Sequence, residues 1–322
     1  MTDTTLAQPE YLDELQAKVK TLHDSVWDRH ATWPHVTQWL AQFGATESLP
    51  SEASLHALYL LSHFMYFSMV EIRGLLRSLY RDVFRASMLA GIRRAHADTL
   101  DEAILRANFD SELEATRFIP LGNPSESSAL LLYYFRQENR LHKNLFANTS
   151  DLFDPSEVSA GGNIKLRCPE LRHYVFLDDL CGSGQQVEEY SGFVPAIKAF
   201  NPEAKAYFYT LFGLVDGIEH IRRLNRFDVV HSLVGLDSTF KSFAPGSRIY
   251  SEPDQTLTRL AGLKTMQFYG AKLWPAHPLG YQDGQLLLAF FYNTPDNTLP
   301  VFWSEGSASA PWVPIFKRYH KI

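Results

Sequence analysis

Two adjacent acids, Asp178 and Asp179, close an apolar run and open a turn of small residues. The stretch reads Tyr174-Val-Phe-Leu177-Asp178-Asp179-Leu180-Cys181-Gly182-Ser183-Gly184-Gln185-Gln186. Ionised carboxylates only accept hydrogen bonds, so a pair of them suits a ligand rich in hydroxyl groups. A turn that leads into a helix offers backbone N–H groups to an anion, with the helix dipole behind them. Gly182 and Gly184 let the backbone come close to that anion, and Ser183 adds a hydroxyl donor. Ligands of open parallel sheets sit beyond the carboxyl ends of the strands, which is where this turn falls. The chemistry predicted is a grip on a ligand that carries both sugar hydroxyls and a phosphate. A second turn lies upstream: Phe118-Ile-Pro-Leu-Gly122-Asn-Pro-Ser-Glu-Ser127-Ser128-Ala129 precedes an apolar helical run from Leu130 to Arg136. Gly122, Ser127 and Ser128 are its candidates for a second anion.

Other residues carry weaker signals. Arg73, Arg77, Arg81 and Arg85 recur every four residues and so share a helix face. A solvated face with Glu71 and Asp82 as counter-charges is favoured over a nucleic-acid contact. Arg222, Arg223 and Arg226 form a smaller basic cluster, read in the same way. The twelve histidines show no metal-ligand spacing. His56 and His63 lie on an apolar stretch and read as core groups. Cys181 sits beside a helix start, which lowers a thiol pKa, but Asp178 and Asp179 oppose a thiolate there. No protein-bound metal is expected. No G-x-S-x-G elbow is present, and Trp274, Trp303 and Trp312 read as packing.

The elements that must hold these residues differ along the chain. Up to about Ala115 the pattern is helical. Leu12, Leu15, Val19, Leu22 and Val26 recur at steps of three and four. A short helix over Val36–Phe43 ends at Gly44. Ser51 caps an apolar helix that is expected to run within Leu55–Val70. Glu71–Arg94 reads as one helix, and Asp98 or Thr99 opens another. No strand is expected in this half. Beyond Phe118, three short apolar runs read as buried parallel strands: Tyr174–Leu177, Ala206–Phe212 and Val229–Val234. Val187–Phe200 suits a helix stopped by Asn201-Pro202. Strand, helix, strand is the pattern of a βαβ unit. From Leu286 onward, short strands and loops are broken by prolines. The expected division is an all-helical domain over 1–115 and an α/β domain over 116–322.

Composition bounds the class. The chain has 322 residues, 45% of them hydrophobic and 20% charged, which excludes a disordered chain and fits about two domains. The formal charge of -6 argues against nucleic acid held by the chain as a whole. Two cysteines are too few for a disulfide scaffold and point to a reducing, cytoplasmic setting. The polar start is no signal peptide. The longest apolar stretch is too short and too interrupted for a membrane span.

The strand, the acid pair and the turn at 182–186 resemble the ribose-5-phosphate loop of type I phosphoribosyltransferases, in which two acids follow a hydrophobic strand. The upstream turn stands where that family carries its diphosphate loop. With Leu131-Leu-Tyr-Tyr-Phe-Arg-Gln137 and Asn293-Thr-Pro-Asp-Asn-Thr-Leu-Pro-Val-Phe-Trp-Ser304, the chain resembles the phosphoribosyltransferase-like proteins of bacterial conflict (anti-phage) systems. The resemblance covers roughly Phe118 to the C-terminus. It implies a parallel-sheet α/β domain with a C-terminal hood, preceded by an all-α domain. It implies a phosphoribosyl diphosphate or nucleotide ligand bound with Mg²⁺, and a defence-system protein or nucleic acid as partner of the helical region. Asp178 and Asp179 would be the catalytic acids at the ribose. Gly182, Ser183, Gly184, Gln185 and Gln186 would hold the 5-phosphate, and Gly122, Ser127 and Ser128 would face the diphosphate. Two other readings stay open. One is a non-catalytic nucleotide sensor, because Gly182 and Gln186 replace hydroxyl residues of the family pattern. The other is an S-adenosylmethionine methyltransferase, whose strand–Asp–Gly-rich turn Asp179–Gly184 also resembles. Its D/N-P-P-aromatic motif has no counterpart, Asn293-Thr-Pro-Asp296 being the nearest stretch. A GxxxxGK[ST] phosphate loop is disfavoured, since no Lys follows Gly184.

Overall fold

The computed structural model describes residues 7–44, 51–123, 126–153, 166–250 and 257–319. In chain order the elements are α1 (Ala7–Ser25), α2 (Trp33–Ala41), α3 (Glu52–Leu61), β1 (Met65–Phe67), α4 (Met69–Ser78), a π-helical stretch (Leu79–Arg85), α5 (Ala86–Ala95) and α6 (Glu102–Glu114). They continue with β2 (Thr116–Pro120), α7 (Ser127–Glu138), β3 (His173–Cys181), α8 (Gln185–Tyr190), α9 (Val194–Phe200), β4 (Lys205–Leu214), α10 (Val215–Arg223) and β5 (Val229–Leu236). The last are α11 (Arg259–Leu273), β6 (Leu288–Phe290), β7 (Gly306–Ser307) and β8 (Ala310–Pro311). The fold is mixed α/β with parallel sheets and a helical N-terminal region, as the sequence indicates. No helix of the described residues is long and apolar enough to cross a membrane.

Two compact units divide the chain: residues 1–72 with 237–322, and residues 73–236. The boundary expected at 115/116 falls inside the second unit, between α6 and β2. Residues 237–322, which include the C-terminal stretch around Trp303 expected as a hood, belong to the same unit as the N-terminal helices. Sequence patterning sees which face of a helix is apolar but not what that face meets, so it could not pair the two ends.

In the first unit, the apolar stripe of α1 buries Leu15 and Val19, while Val26 lies past the helix end and is exposed. Pro34 in the first turn of α2 needs no N–H partner there. The Ser51 hydroxyl accepts the Ser54 N–H at 3.1 Å and caps α3. These helices close over the C-terminal segment. Trp27 meets Phe316 edge-on with centroids 5.5 Å apart, and Trp39 stacks near Phe302 at 5.2 Å. Trp39 Nε1 also donates to the Val301 carbonyl at 2.9 Å. Burying one such side chain contributes about 1.5–3 kcal/mol, so these rings dominate the unit's cohesion. The stretch Leu55–Val70 is not one helix: it ends at Leu61, and Met65–Phe67 forms a strand paired in parallel with Leu288–Phe290. That strand corrects the expectation of an all-helical half. Its partner lies more than 200 residues away, and three residues give no readable period. Trp303 is buried, with its Nε1 donating to the Thr298 carbonyl at 2.8 Å. It packs the core, as its reading from sequence has it.

In the second unit, four parallel strands run in the order β2-β3-β4-β5. One face of the sheet, with Ile119, Tyr174, Phe176, Ala206 and Phe208, packs on Val187, Val194, Ile197, Ile218 and Ile221 of α8–α10. Phe118 points the other way, onto Phe84 at 5.1 Å and Phe135 of α7 at 5.0 Å. Alternation along each strand thus feeds two apolar layers. Two helices deviate from expectation. Glu71–Arg94 contains the π turn at 79–85. Val187–Phe200 breaks into α8 and α9, because Pro195 starts a new helix at its first turn. The arginine stripe is engaged piecewise: Arg73 and Arg77 with Glu138, Arg81 with Asp82, and Arg85 over the Phe109 ring. Arg222 pairs with Glu219, and Arg226 donates to the Glu188 carbonyl and Ser191.

Candidate functional site

β3 extends through the acid pair to Cys181, while its pairing with β2 stops at Pro120↔Leu177. Asp178 is therefore the first residue of β3 past the end of β2, yet it stays in register opposite Thr210 of β4. Its side chain is buried, at 5% exposure, and Asp179 is half-buried. Asp178 Oδ1 accepts the Asp179 N–H at 3.0 Å, and Asp179 Oδ1 accepts the Leu180 N–H at 2.8 Å. Burial pushes the Asp178 carboxyl pKa well above its ordinary value, and the charges of Asp179 and Glu126 push it the same way.

The turn that follows is shaped by glycines on two elements. Gly184 caps α8 in the left-handed region at φ +83°. Gly217, in the first turn of α10, lies directly against the turn: a Cβ on it would sit 1.9 Å from the Gly182 carbonyl oxygen. His220 Nε2, 2.7 Å from Glu188 Oε2, ties α10 to α8. The Ser183 hydroxyl accepts the Gln185 N–H at 3.3 Å. The backbone N–H groups of Gly182, Ser183 and Gly184 have no acceptor among the described residues. Gly182 and Ser183 are half-buried, Gly184 buried and Gln185 exposed. Helix α8 has only six residues, so the cradle consists of these N–H groups more than of a helix dipole.

The upstream turn reaches the same place. Gly122 has φ +112°, and a Cβ there would collide with Glu126 Oε2 at 2.2 Å. Glu126 Oε2 accepts the Asn123 N–H at 3.3 Å and the Gln186 side-chain amide at 2.9 Å. That last bond joins the two turns across 60 residues of sequence. Ser127 begins α7, and Ser128 is buried, its hydroxyl without a hydrogen-bond partner among the described residues. Pro124 and Ser125 lie outside the described residues.

All the residues singled out for the site thus lie on the two turns or at the end of β3 between them. Two features, Glu126 and Gly217, escaped the sequence. Glu126 carries no signal of its own in the sequence, although it joins the turns. Gly217 gave no signal, because its demand is set by a neighbour 35 residues upstream. Cys181 is inert: burial, then the charge of Asp178, pushes its thiol up to about 12. Iodoacetamide applied to the native protein at neutral pH should label the half-buried Cys168 and leave Cys181 unmodified, read by peptide mass spectrometry. Equal labelling of both would contradict the burial.

The PRTase-CE family model matches residues 36–318, which takes in parts of both units. No curated protein matches the chain.

Proposed function

We propose, because the chain belongs to the PRTase-CE family, that the end of β3 binds a phosphoribosyl diphosphate or nucleotide ligand together with Mg²⁺. The observation that carries this is the junction of the two turns beside the acid pair. Asp178 and Asp179 would accept the ribose hydroxyls. The free N–H groups of Gly182–Gly184 would take the 5-phosphate, with Gln185 and Gln186 closing the turn. The Ser128 hydroxyl has a hydrogen bond to give where Gly122 and Ser127 would face the diphosphate.

The donor set suits magnesium, which takes oxygen ligands. No three His, Cys, Asp or Glu residues among the described ones converge into a metal cluster of their own, so the ion would arrive with the diphosphate. When bound, it supplies charge neutralisation at the leaving diphosphate. Asp179 would offset positive charge developing at the anomeric carbon, and the turns would position the ligand for attack by a nitrogen nucleophile.

A second reading, a nucleotide sensor that binds without turnover, is favoured by Glu126. A carboxylate inside the diphosphate turn opposes a leaving anion. The role in bacterial anti-phage defence, with a protein or nucleic-acid partner in a cytoplasmic setting, rests on the resemblance. The methyltransferase reading of the same turn gains no support from family membership.

Calorimetry with phosphoribosyl diphosphate and Mg²⁺ tests the site. The native protein should release heat. The double change Asp178→Asn and Asp179→Asn should weaken binding about a hundredfold, as expected for two lost charge-assisted contacts. No heat with the native protein, or equal heat with the variant, overturns the reading. Diphosphate release on adding amines or bases separates transferase from sensor.

A further inference from the structure

A groove of about 270 Å³ lies along α7 and includes Pro120, the β2 residue paired with Leu177 just before the acid pair. Ala129, Leu132, Tyr133 and Arg136 line it at helical spacing, so one face of α7 forms a wall. The segment after α7 forms the other wall, with Lys143 and Phe146. Pro120 closes the end. Phe146 is held in place by its bridge to Phe118, where the Ala147 N–H donates to the Phe118 carbonyl at 3.2 Å. That bridge fixes the backbone beside the Phe146 ring.

The rim carries two cations. Neither Arg136 nor Lys143 has a carboxylate partner among the described residues, unlike Arg73, Arg77 and Arg81. The Arg136 guanidinium lies 5.8 Å from the Tyr133 ring centroid, and that ring is half exposed. The groove's own acid, Asp151, is committed to its turn, accepting the Asn148 N–H at 3.0 Å. A slot of mixed polar and apolar lining, with an accessible aromatic ring and two cations that have no carboxylate partner among the described residues, recognises a small flat ligand bearing an anion.

We propose that this groove is a second ligand site, for a free nucleoside monophosphate. The base lies against Tyr133, Phe146 and Pro120, and the phosphate against Arg136 and Lys143. The site stands independently of the reading of the acid pair. Its volume admits one small ligand.

Calorimetry of the full chain with AMP, GMP, CMP and UMP, without magnesium, tests this. At least one should bind. Ribose 5-phosphate, which lacks the base, should bind about tenfold more weakly. Arg136→Gln with Lys143→Gln should weaken the nucleotide about tenfold or more with an unchanged melting curve, and Tyr133→Ala should weaken it less. Asp178→Asn with Asp179→Asn should leave it unaltered. Three results overturn the proposal: no heat with any of the four, native affinity in the Arg136/Lys143 variant, or loss confined to the Asp178/Asp179 variant. The last would place the nucleotide at the end of β3 instead, and so leave the reading of that site standing.

Discussion

Gly217→Ala is expected to remove binding at the end of β3 and to destabilise the second unit. The added methyl carbon would stand 1.9 Å from the Gly182 carbonyl oxygen, with the Gly182 and Ser183 carbonyl carbons also near 3 Å. These are backbone atoms, so no side chain can swing away. Either α10 lifts off the sheet or the turn moves. Overpacking of this kind costs about 1–3 kcal/mol, and more where the backbone must shift. A displacement of about 1 Å in a positioning turn lowers productive binding roughly a hundredfold. Calorimetry with phosphoribosyl diphosphate and a urea melt read the two effects. Gly91→Ala is the control, since nothing lies within 4 Å of a Cβ there and it sits inside α5. That change should stabilise by about 0.5–1 kcal/mol. Native affinity in Gly217→Ala would mean that the approach of α10 to the turn is irrelevant to the ligand.

Asp178→Asn should raise stability at neutral pH while it weakens the ligand. The carboxyl is buried beside two other acids, and its folded-state pKa stands above the unfolded value. The folded state therefore holds the proton more tightly. The stabilisation this gives is fully present below the unfolded pKa, near 4, and is lost as pH rises through the folded pKa. Above that point the native protein carries a buried charge with like-charged neighbours. Asparagine has the same shape and stays neutral, and its oxygen can still accept the Asp179 N–H. A gain of about 1–2 kcal/mol is expected at pH 8, near 2–4 °C in melting temperature per kcal/mol. It should vanish below pH 4. A variant less stable than the native protein at pH 8 would show that the carboxylate is stabilised in the fold, against the burial seen here. A gain would mark Asp178 as a residue kept for function at a cost in stability.

Much of the second unit is legible in the residues. Three apolar runs, Tyr174–Leu177, Ala206–Phe212 and Val229–Val234, mark three of its four strands: the two inner ones are continuously apolar because both faces are buried, while Val229–Val234, expected to be buried, lies half-exposed at the sheet edge. The strand Thr116–Pro120 is less visible. It is short and carries Arg117 and Pro120, and only its last residues stand out, as the lead into a turn. The site is readable for the same reason: acids after an apolar run, followed by small residues, are local in sequence. What joins its halves is not local. The Gln186–Glu126 bond and the approach of Gly217 to Gly182 depend on how strands and helices stack. The first unit is the least legible. Its helices announce their apolar faces, but Trp27 and Trp39 find their partners in Phe316 and Phe302, and no periodicity reports such distances.

That long-range closure has a consequence for biosynthesis. Trp39 and its hydrogen-bond acceptor Val301 are 262 positions apart. At about 5–20 residues per second, the ribosome needs roughly 13–50 seconds to deliver the second after the first. Throughout that interval the nascent N-terminal helices hold bare aromatic surface, while the intervening strands and helices can already collapse on their own. Slow translation, or loss of a holding chaperone, would therefore be felt first as aggregation of the leading segment.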